Sequence, residues 1–339
     1  MASYTRGWPA TPRCRSSVGT PQDGGAGWAP INLNGNRSAP PAATSRRAVG
    51  WRELLLLLSI GLFWGLNWPA VRVILFELPP FSLRGLAFTV AAVILFLVAR
   101  ARRERLWPER AEWGPLLVVA LLSIFGFNVF VAFGQLNTET SRAAIIAFTM
   151  PVWATLLALF VLGERITWER ALALALGMAG LALLLGDDLF DVTRSPKGAL
   201  FTLGGAFSWA AGTVLLKQRT WSLPPLAMAA WMLAISAPPA LVAALVMEAP
   251  LTLPMPSATT WLVFAYHVLF PMVWCYAAWV VLVAKLPAPV AAIGTLMIPV
   301  VGVASAIVLL GEPLTLSILG ALALVVGGVA LVLLLPARS

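Results

Sequence analysis

The sequence predicts an all-α polytopic membrane protein, with ten transmembrane helices arranged as two inverted five-helix repeats. Three observations carry that prediction. The first is composition: 60% of the 339 residues are hydrophobic and 11% are charged, with mean hydropathy +0.88. Soluble domains carry roughly 25% charged residues, so a soluble fold of this length would lack the charge to cover its surface. The second is a series of ten apolar runs, each near the ~20 residues that a helix needs to cross about 30 Å. The third is an internal repeat.

The repeat is read from its Pro, Gly, Glu and Trp positions. Met150-Pro151-Val152, Leu162-Gly163-Glu164 and Thr167 recur as Ile298-Pro299-Val300, Leu310-Gly311-Glu312 and Thr315. The offset is constant at 148 (299 − 151 and 312 − 164). Earlier in each unit the offset is 145: Trp64 and Arg72 pair with Trp209 and Lys217, and Leu78-Pro79-Pro80 pairs with Leu223-Pro224-Pro225. These matches set the expected organisation: a tail over 1–50, a first repeat over 51–190 and a second over 191–339.

The elements follow in order. Residues 1–50 are rich in Gly, Pro, Ser and Arg, with Asp23 the only acid. That composition predicts a disordered cytoplasmic tail, with an organelle transit peptide as the alternative. The apolar runs cover 53–75, 80–100, 114–135, 141–162, 167–186, 198–217, 225–247, 259–283, 288–310 and 315–335. The turns at 163–166 and 311–314 are short and predict tight antiparallel hairpins. Basic residues orient the chain. Arg100, Arg102, Arg103, Arg105 and Arg110 share one loop, whereas the loops on the other side hold only Arg142, Arg194 and Lys197. Both termini are therefore expected in the cytoplasm, in a cell membrane. Five spans per unit is an odd number, so the second unit must enter from the opposite side. The repeats become inverted, the arrangement of carriers that open alternately to either face.

The net charge of +9 does not point to nucleic acid, because the basic residues lie in the tail and in short loops. Cys14, Cys275 and the single His267 supply no disulfide framework or multi-histidine metal site. No cofactor or metal is expected. An intramembrane enzyme would need paired acids, a Ser–His arrangement or metal ligands. A channel or lipid-moving protein stays open as the alternative to a carrier, although rings of charge are not evident.

Five sets of residues resemble one known family. Trp64-Gly65-Leu66-Asn67-Trp68 lies in the first run, and Pro80 with Arg84 opens the second. Pro151 precedes Leu162-Gly163-Glu164, Trp209-Ala210 lies in the sixth run, and Pro299 precedes Leu310-Gly311-Glu312. In this order, across about 53–335, they resemble the drug/metabolite transporter superfamily in its EamA-type branch. The resemblance implies a ten-helix secondary carrier exporting amino acids, related metabolites or toxic compounds. Arg84 departs from the repeat, since its counterpart is Ala229.

Candidate substrate-binding residues are the polar and aromatic groups in mid-span. Trp64, Asn67, Trp68 and Arg72 are three or four apart and share one helix face. Asn67 serves either a substrate or a neighbouring backbone, and Trp68 either a substrate or helix packing. Arg84 suits an anionic group or an outer gate. Arg72 is expected to reach the headgroups or pair with Glu77. Asn128, Trp209, His267, Tyr276 and Thr295 complete the set. Glu164 and Glu312 are read as structural acids, each complementing the start of the next helix. Pro151 and Pro299 are read as hinges or static bends. Gly177, Gly180, Gly320, Gly327 and Gly328 suit close helix contact and a homodimer interface. The expected partners are a small-molecule substrate, the lipid bilayer and a second copy.

Overall fold

The computed structural model describes residues 51–150, 152–154, 156–157, 168, 171–172, 175–180, 182–183, 196–285 and 297–334. The expectations for the tail and for Pro151, Glu164 and Thr295 lie outside them. Every regular element among the described residues is helical, as expected. Helix α1 is Trp51–Leu75 and α2 is Pro80–Ala101. Helix α3 runs through Trp113–Ala120, a π-helical segment Leu121–Gly126, and Phe127–Asn137. Helix α4 is Thr140–Ala147, α5 Lys197–Lys217 and α6 Pro225–Met247. Helix α7 runs through Ala258–His267, a second π-helical segment Val268–Cys275, and Tyr276–Lys285. Helices α8 and α9 are Met297–Leu310 and Leu316–Leu334. Six described helices are long and apolar enough to cross a membrane, and two shorter apolar helices follow.

The repeated Leu-Pro-Pro marks a helix start in both units. Pro80 and Pro225 take the first helical position, where proline's missing N–H removes nothing and its fixed φ suits the turn. Leu78 and Leu223 are both buried beneath those starts.

Corresponding helices run in opposite directions. Helix α1 ends at the turn holding Glu77, whose carboxylate reaches Ser257 at the start of α7. Helix α5 begins beside the end of α3, where a Cβ on Gly198 would lie 2.8 Å from the carbonyl of Asn137. It finishes near Ser222, which bonds Glu112 at the start of α3. Arg72 in the last turn of α1 bonds the carbonyl of Gln135 near the end of α3, so the start of α5 shares an end of the bundle with the finish of α1. That is the inverted arrangement five spans per unit demand.

Two cores meet at the centre. One is built on α2, α6 and α3 around Phe88, Leu95, Ile124 and Leu233. The other is built on α1, α4, α8 and α9 around Ile60, Ile145, Val303 and Ile318. Trp64 packs against both. Lipid tails are as apolar as leucine, so close contact between helices must hold the bundle. Glycines supply it. A Cβ on Gly212 of α5 would sit 2.9 Å from the backbone nitrogen of Ser123 on α3. A Cβ on Gly85 of α2 would meet Leu241 of α6 at 2.7 Å. Gly180 and Gly320 also sit in contacts of 2.9 and 3.0 Å, whereas Gly327 faces open space.

Candidate substrate cavity

A cavity of about 270 Å³ lies where α1, α2, α3, α5 and α7 converge, with α8 contributing Ile298. Trp64 is its centre. The indole Nε1 donates to the carbonyl of Pro271 at 3.1 Å, which fixes the ring against α7. The ring meets Trp209 edge-on at 6.5 Å, Tyr276 at 5.6 Å and Trp279 at 6.0 Å between centroids. Trp64 and Trp209 are repeat counterparts. Two residues related by a pseudo-two-fold axis touch only near that axis, so this pair marks where the repeats meet.

Arg84 is the only charged side chain among the described residues that line the cavity. It is 1% exposed. Its Nε donates to the carbonyl of Asn128 at 3.1 Å, and its Nη1 lies 3.3 Å from His267 Nε2. His267 Nδ1 lies 2.6 Å from Asn67 Oδ1. An amide oxygen only accepts, so Nδ1 carries the proton and Nε2 presents its lone pair to Arg84. The imidazole is therefore neutral here, with both nitrogens engaged. Among the described residues no carboxylate pairs with Arg84.

Asn128 joins the site to the backbone. Its Nδ2 donates to the carbonyl of Ile124 at 2.9 Å and to the Tyr276 hydroxyl at 3.4 Å. Ile124 belongs to the π-helical segment of α3, where the regular ladder is broken. Neighbouring carbonyls there are also taken by side chains: Ser208 donates to Leu122 at 2.7 Å and Ser236 to Ala120 at 3.2 Å. Irregular backbone at membrane depth requires such partners. The 145-residue offset carries 121–126 onto 266–271, which overlaps the second π segment over 268–271. Both π segments flank the cavity.

Most expected site residues converge. Trp64, Asn67, Trp68, Arg84, Asn128, Trp209 and Tyr276 line one cavity. Trp68 also packs on α8, where a Cβ on Gly302 would lie 3.0 Å from its ring. His267 is not among the lining residues. It stands behind Arg84 and Asn67, because its two nitrogens are spent holding them. Pro299 is buried in the first described turn of α8.

Two expectations need correction. Arg72 does not pair with Glu77. Its Nη1 donates to the carbonyl of Gln135, and its guanidinium lies 5.2 Å from the centroid of Phe76. Glu312 sits at a helix end as read, but it does not serve the following helix. Its carboxylate accepts from the backbone N–H groups of Thr140 and Ser141 at 2.6 and 2.8 Å, at the start of α4 in the other repeat. Thr315 fills the expected role instead, accepting from Ile318 N at 3.2 Å.

The sequence reading missed several lining residues, Gln135 and Trp279 among them. Gln135 is fully buried, donates to the Trp68 carbonyl at 2.9 Å and leaves its Oε1 without a hydrogen-bond partner. Gln135 follows Asn128 by seven residues, so both share one helix face. Trp279 follows Tyr276 by three. Spacing from residues already singled out would have found both.

An inverted bundle of apolar helices around an aromatic cavity with one buried cation suits a membrane transporter. The EamA-like transporter family matches this chain twice, over residues 51–186 and 196–334, and the chain belongs to that family. It is a multi-pass membrane transporter. The transporter YvbV of Bacillus subtilis is 32% identical over 286 residues, covering 83% of this chain and 91% of that one. The B. subtilis transporter YoaV is 25% identical over 278 residues, covering 81% and 95%. A probable amino-acid metabolite efflux pump of Escherichia coli is 28% identical over 294 residues, covering 81% and 93%. A solved crystal structure shares the fold, with TM-score 0.60 at 22% identity over 85% of this chain and 98% of that one.

Proposed function

We propose that this protein is a secondary exporter of small metabolites bearing an anionic group, amino acids among them, and that it works by alternating access between its two repeats. It is not an enzyme in this reading. One observation carries the cargo assignment: Arg84 lines the cavity, is almost wholly buried, and has no carboxylate partner among the described residues. A buried charge is costly unless it is paired, so the group that completes this site is an anion brought by the cargo. Arginine suits a carboxylate because its planar donors match the two oxygens. Trp64, Trp209, Tyr276 and Trp279 then enclose the rest of the molecule. The cavity volume of about 270 Å³ fits a small molecule. The name carried by the E. coli relative supports an amino-acid metabolite.

The arginine asymmetry supports a reading with both termini in the cytoplasm, in a plasma or inner membrane, and export then runs away from that side. The test is flux of labelled carboxylates and amino acids in proteoliposomes. Saturation and counterflow are expected. Flux that rises linearly with concentration and shows no counterflow would identify a channel instead.

A further inference from the structure

Four glutamates each bind the start of a helix, or the turn before one, in the opposite repeat. At one end of the bundle, Glu77 accepts from Ser257 N at 2.5 Å and from Ser257 Oγ at 2.8 Å. Glu248 accepts from Phe81 N, Ser82 N and Ser82 Oγ at 2.7–2.8 Å. Glu312 holds Thr140 and Ser141. At the opposite end, Glu112 accepts from Ser222 N at 2.6 Å and from Ser222 Oγ at 2.8 Å. In the Glu77 and Glu112 pairs, one carboxylate grips the backbone N–H and the hydroxyl of a single serine.

Those two pairs are the same contact. The repeat offset sends Glu77 to Ser222 (77 + 145 = 222) and Glu112 to Ser257 (112 + 145 = 257). The inverted symmetry carries the pair at one face onto the pair at the other, with acid and serine exchanged. A sequence comparison hides this, because each glutamate aligns with a serine. The structure shows that each acid meets the counterpart of the other.

We infer that Glu77–Ser257 and Glu112–Ser222 are the two gate latches of the carrier, one at each face, each tying a turn of one repeat to the neighbouring helix start of the other. This rests on the alternating-access reading above. A carrier of this kind opens one face by parting the repeats there while holding them together at the other. A contact that spans the repeats and occurs once per face is placed to bias that choice. The charge-assisted bonds of a carboxylate to N–H and O–H donors have the strength and direction to do so. The Glu77 face carries two further cross-repeat carboxylates, Glu248 and Glu312.

The test reads cavity access without any substrate. Thr213 lines the cavity on α5. A Thr213→Cys reporter is placed in a background with Cys14→Ser and Cys275→Ser, and is labelled by a membrane-impermeant maleimide applied to each face in turn. Glu77→Ala should raise labelling from the Glu77 face about fivefold, and Glu112→Ala should raise it from the opposite face by a similar factor. The exchanged pairs are the decisive variants. Glu77→Ser with Ser257→Glu, and Glu112→Ser with Ser222→Glu, rebuild each latch in the form used at the other face. Both should restore the unsubstituted labelling pattern. Unchanged labelling, a shift to the same face from both single variants, or no rescue by exchange would overturn the latch assignment. Loss of folding in a single variant is recognised by size-exclusion chromatography, and the exchanged pairs then decide alone. The labelling needs no cargo, so opposite shifts in a protein that exports nothing would overturn the proposed function and leave the latches standing.

Discussion

Arg84 is the residue on which the cargo assignment turns. Hydrogen bonds to a charged group contribute roughly 1.5–3 kcal/mol, which is about 10- to 100-fold in affinity. Arg84→Gln is therefore expected to raise the KM for an anionic cargo by that factor. Its effect on the matching amide or ester should be small. Equal losses for the acid and its amide would remove the anion reading while leaving the cavity in place. Trp64 and Asn67 act differently. Trp64 lines the cavity beside Trp209, Tyr276 and Trp279, and Asn67 positions His267, which in turn faces Arg84. Trp64→Ala and Asn67→Ala should each cut transport by about tenfold or more while the protein still inserts, since both side chains line the cavity and neither change shortens an apolar span. Initial rates set against membrane yield check this, and wild-type kinetics in both variants would refute the assignment.

At the scale of elements, the π-helical segment of α3 shows how irregular backbone is tolerated. Ser208 from α5 satisfies the Leu122 carbonyl within it, and Ser236 from α6 bonds the Ala120 carbonyl just before it. Membrane hydrogen bonds between helices average about 0.6 kcal/mol and reach at most about 1.7. Ser208→Ala should accordingly lower thermal stability only slightly. Gly212→Val should cost more, about 1–3 kcal/mol, because the new side chain collides with the backbone of Ser123. Thermal unfolding in detergent should rank Gly212→Val well below Ser208→Ala, and the reverse order would show that packing is not what joins α3 to α5. The turn between α1 and α2 has its own pH behaviour. The backbone N–H and hydroxyl of Ser257, with help from Thr260, hold the Glu77 carboxyl below its ordinary value. A lowered carboxyl keeps its contact at pH above the ordinary value and loses it as pH falls through the lowered one. Labelling of the Thr213→Cys reporter from the Glu77 face, divided by that of a solvent-exposed cysteine at the same pH, should thus be flat between about pH 6 and 8 and rise only in acid.

The whole molecule sets orientation and energy coupling. A C-terminal reporter should be active in the cytoplasm, as the arginine bias requires; activity only outside would invert the topology. Proton-driven carriers keep an ionisable group in the pathway. Here the described cavity wall holds no acid, and His267 stands behind it with both nitrogens engaged. Export or exchange down the cargo's own gradient is therefore expected. In proteoliposomes with an imposed pH gradient and no membrane potential, no accumulation should occur. Accumulation that persists in His267→Gln would show that another group carries the proton.

Composition, ten apolar runs and a repeat of odd span number determined the class and the inverted arrangement, and the polar and aromatic groups in mid-span gave seven residues of the cavity wall. Those are properties of length, hydropathy and periodicity, and they are written locally in the chain. Trp64, Asn67 and Trp68 were legible for the same reason: polar or amphipathic groups in an apolar span are expensive, so their presence signals use. The partners of the glutamates were not legible. Helix-end chemistry taken locally assigns Glu312 to the helix that follows it, and only the packing of α8 against α4 shows that it holds the other repeat. Arg72, likewise, lies five residues from Glu77 in sequence, yet the tertiary structure brings the carbonyl of Gln135 closer. The π-helical segments and the setting of His267 behind Arg84 also depend on which helices meet. Sequence decides what each helix can bury. Which donor lies within hydrogen-bond reach of which acceptor is fixed only when the two repeats close on one another, because hydrogen bonds act over about 3 Å and the chain separates these partners by up to about two hundred residues.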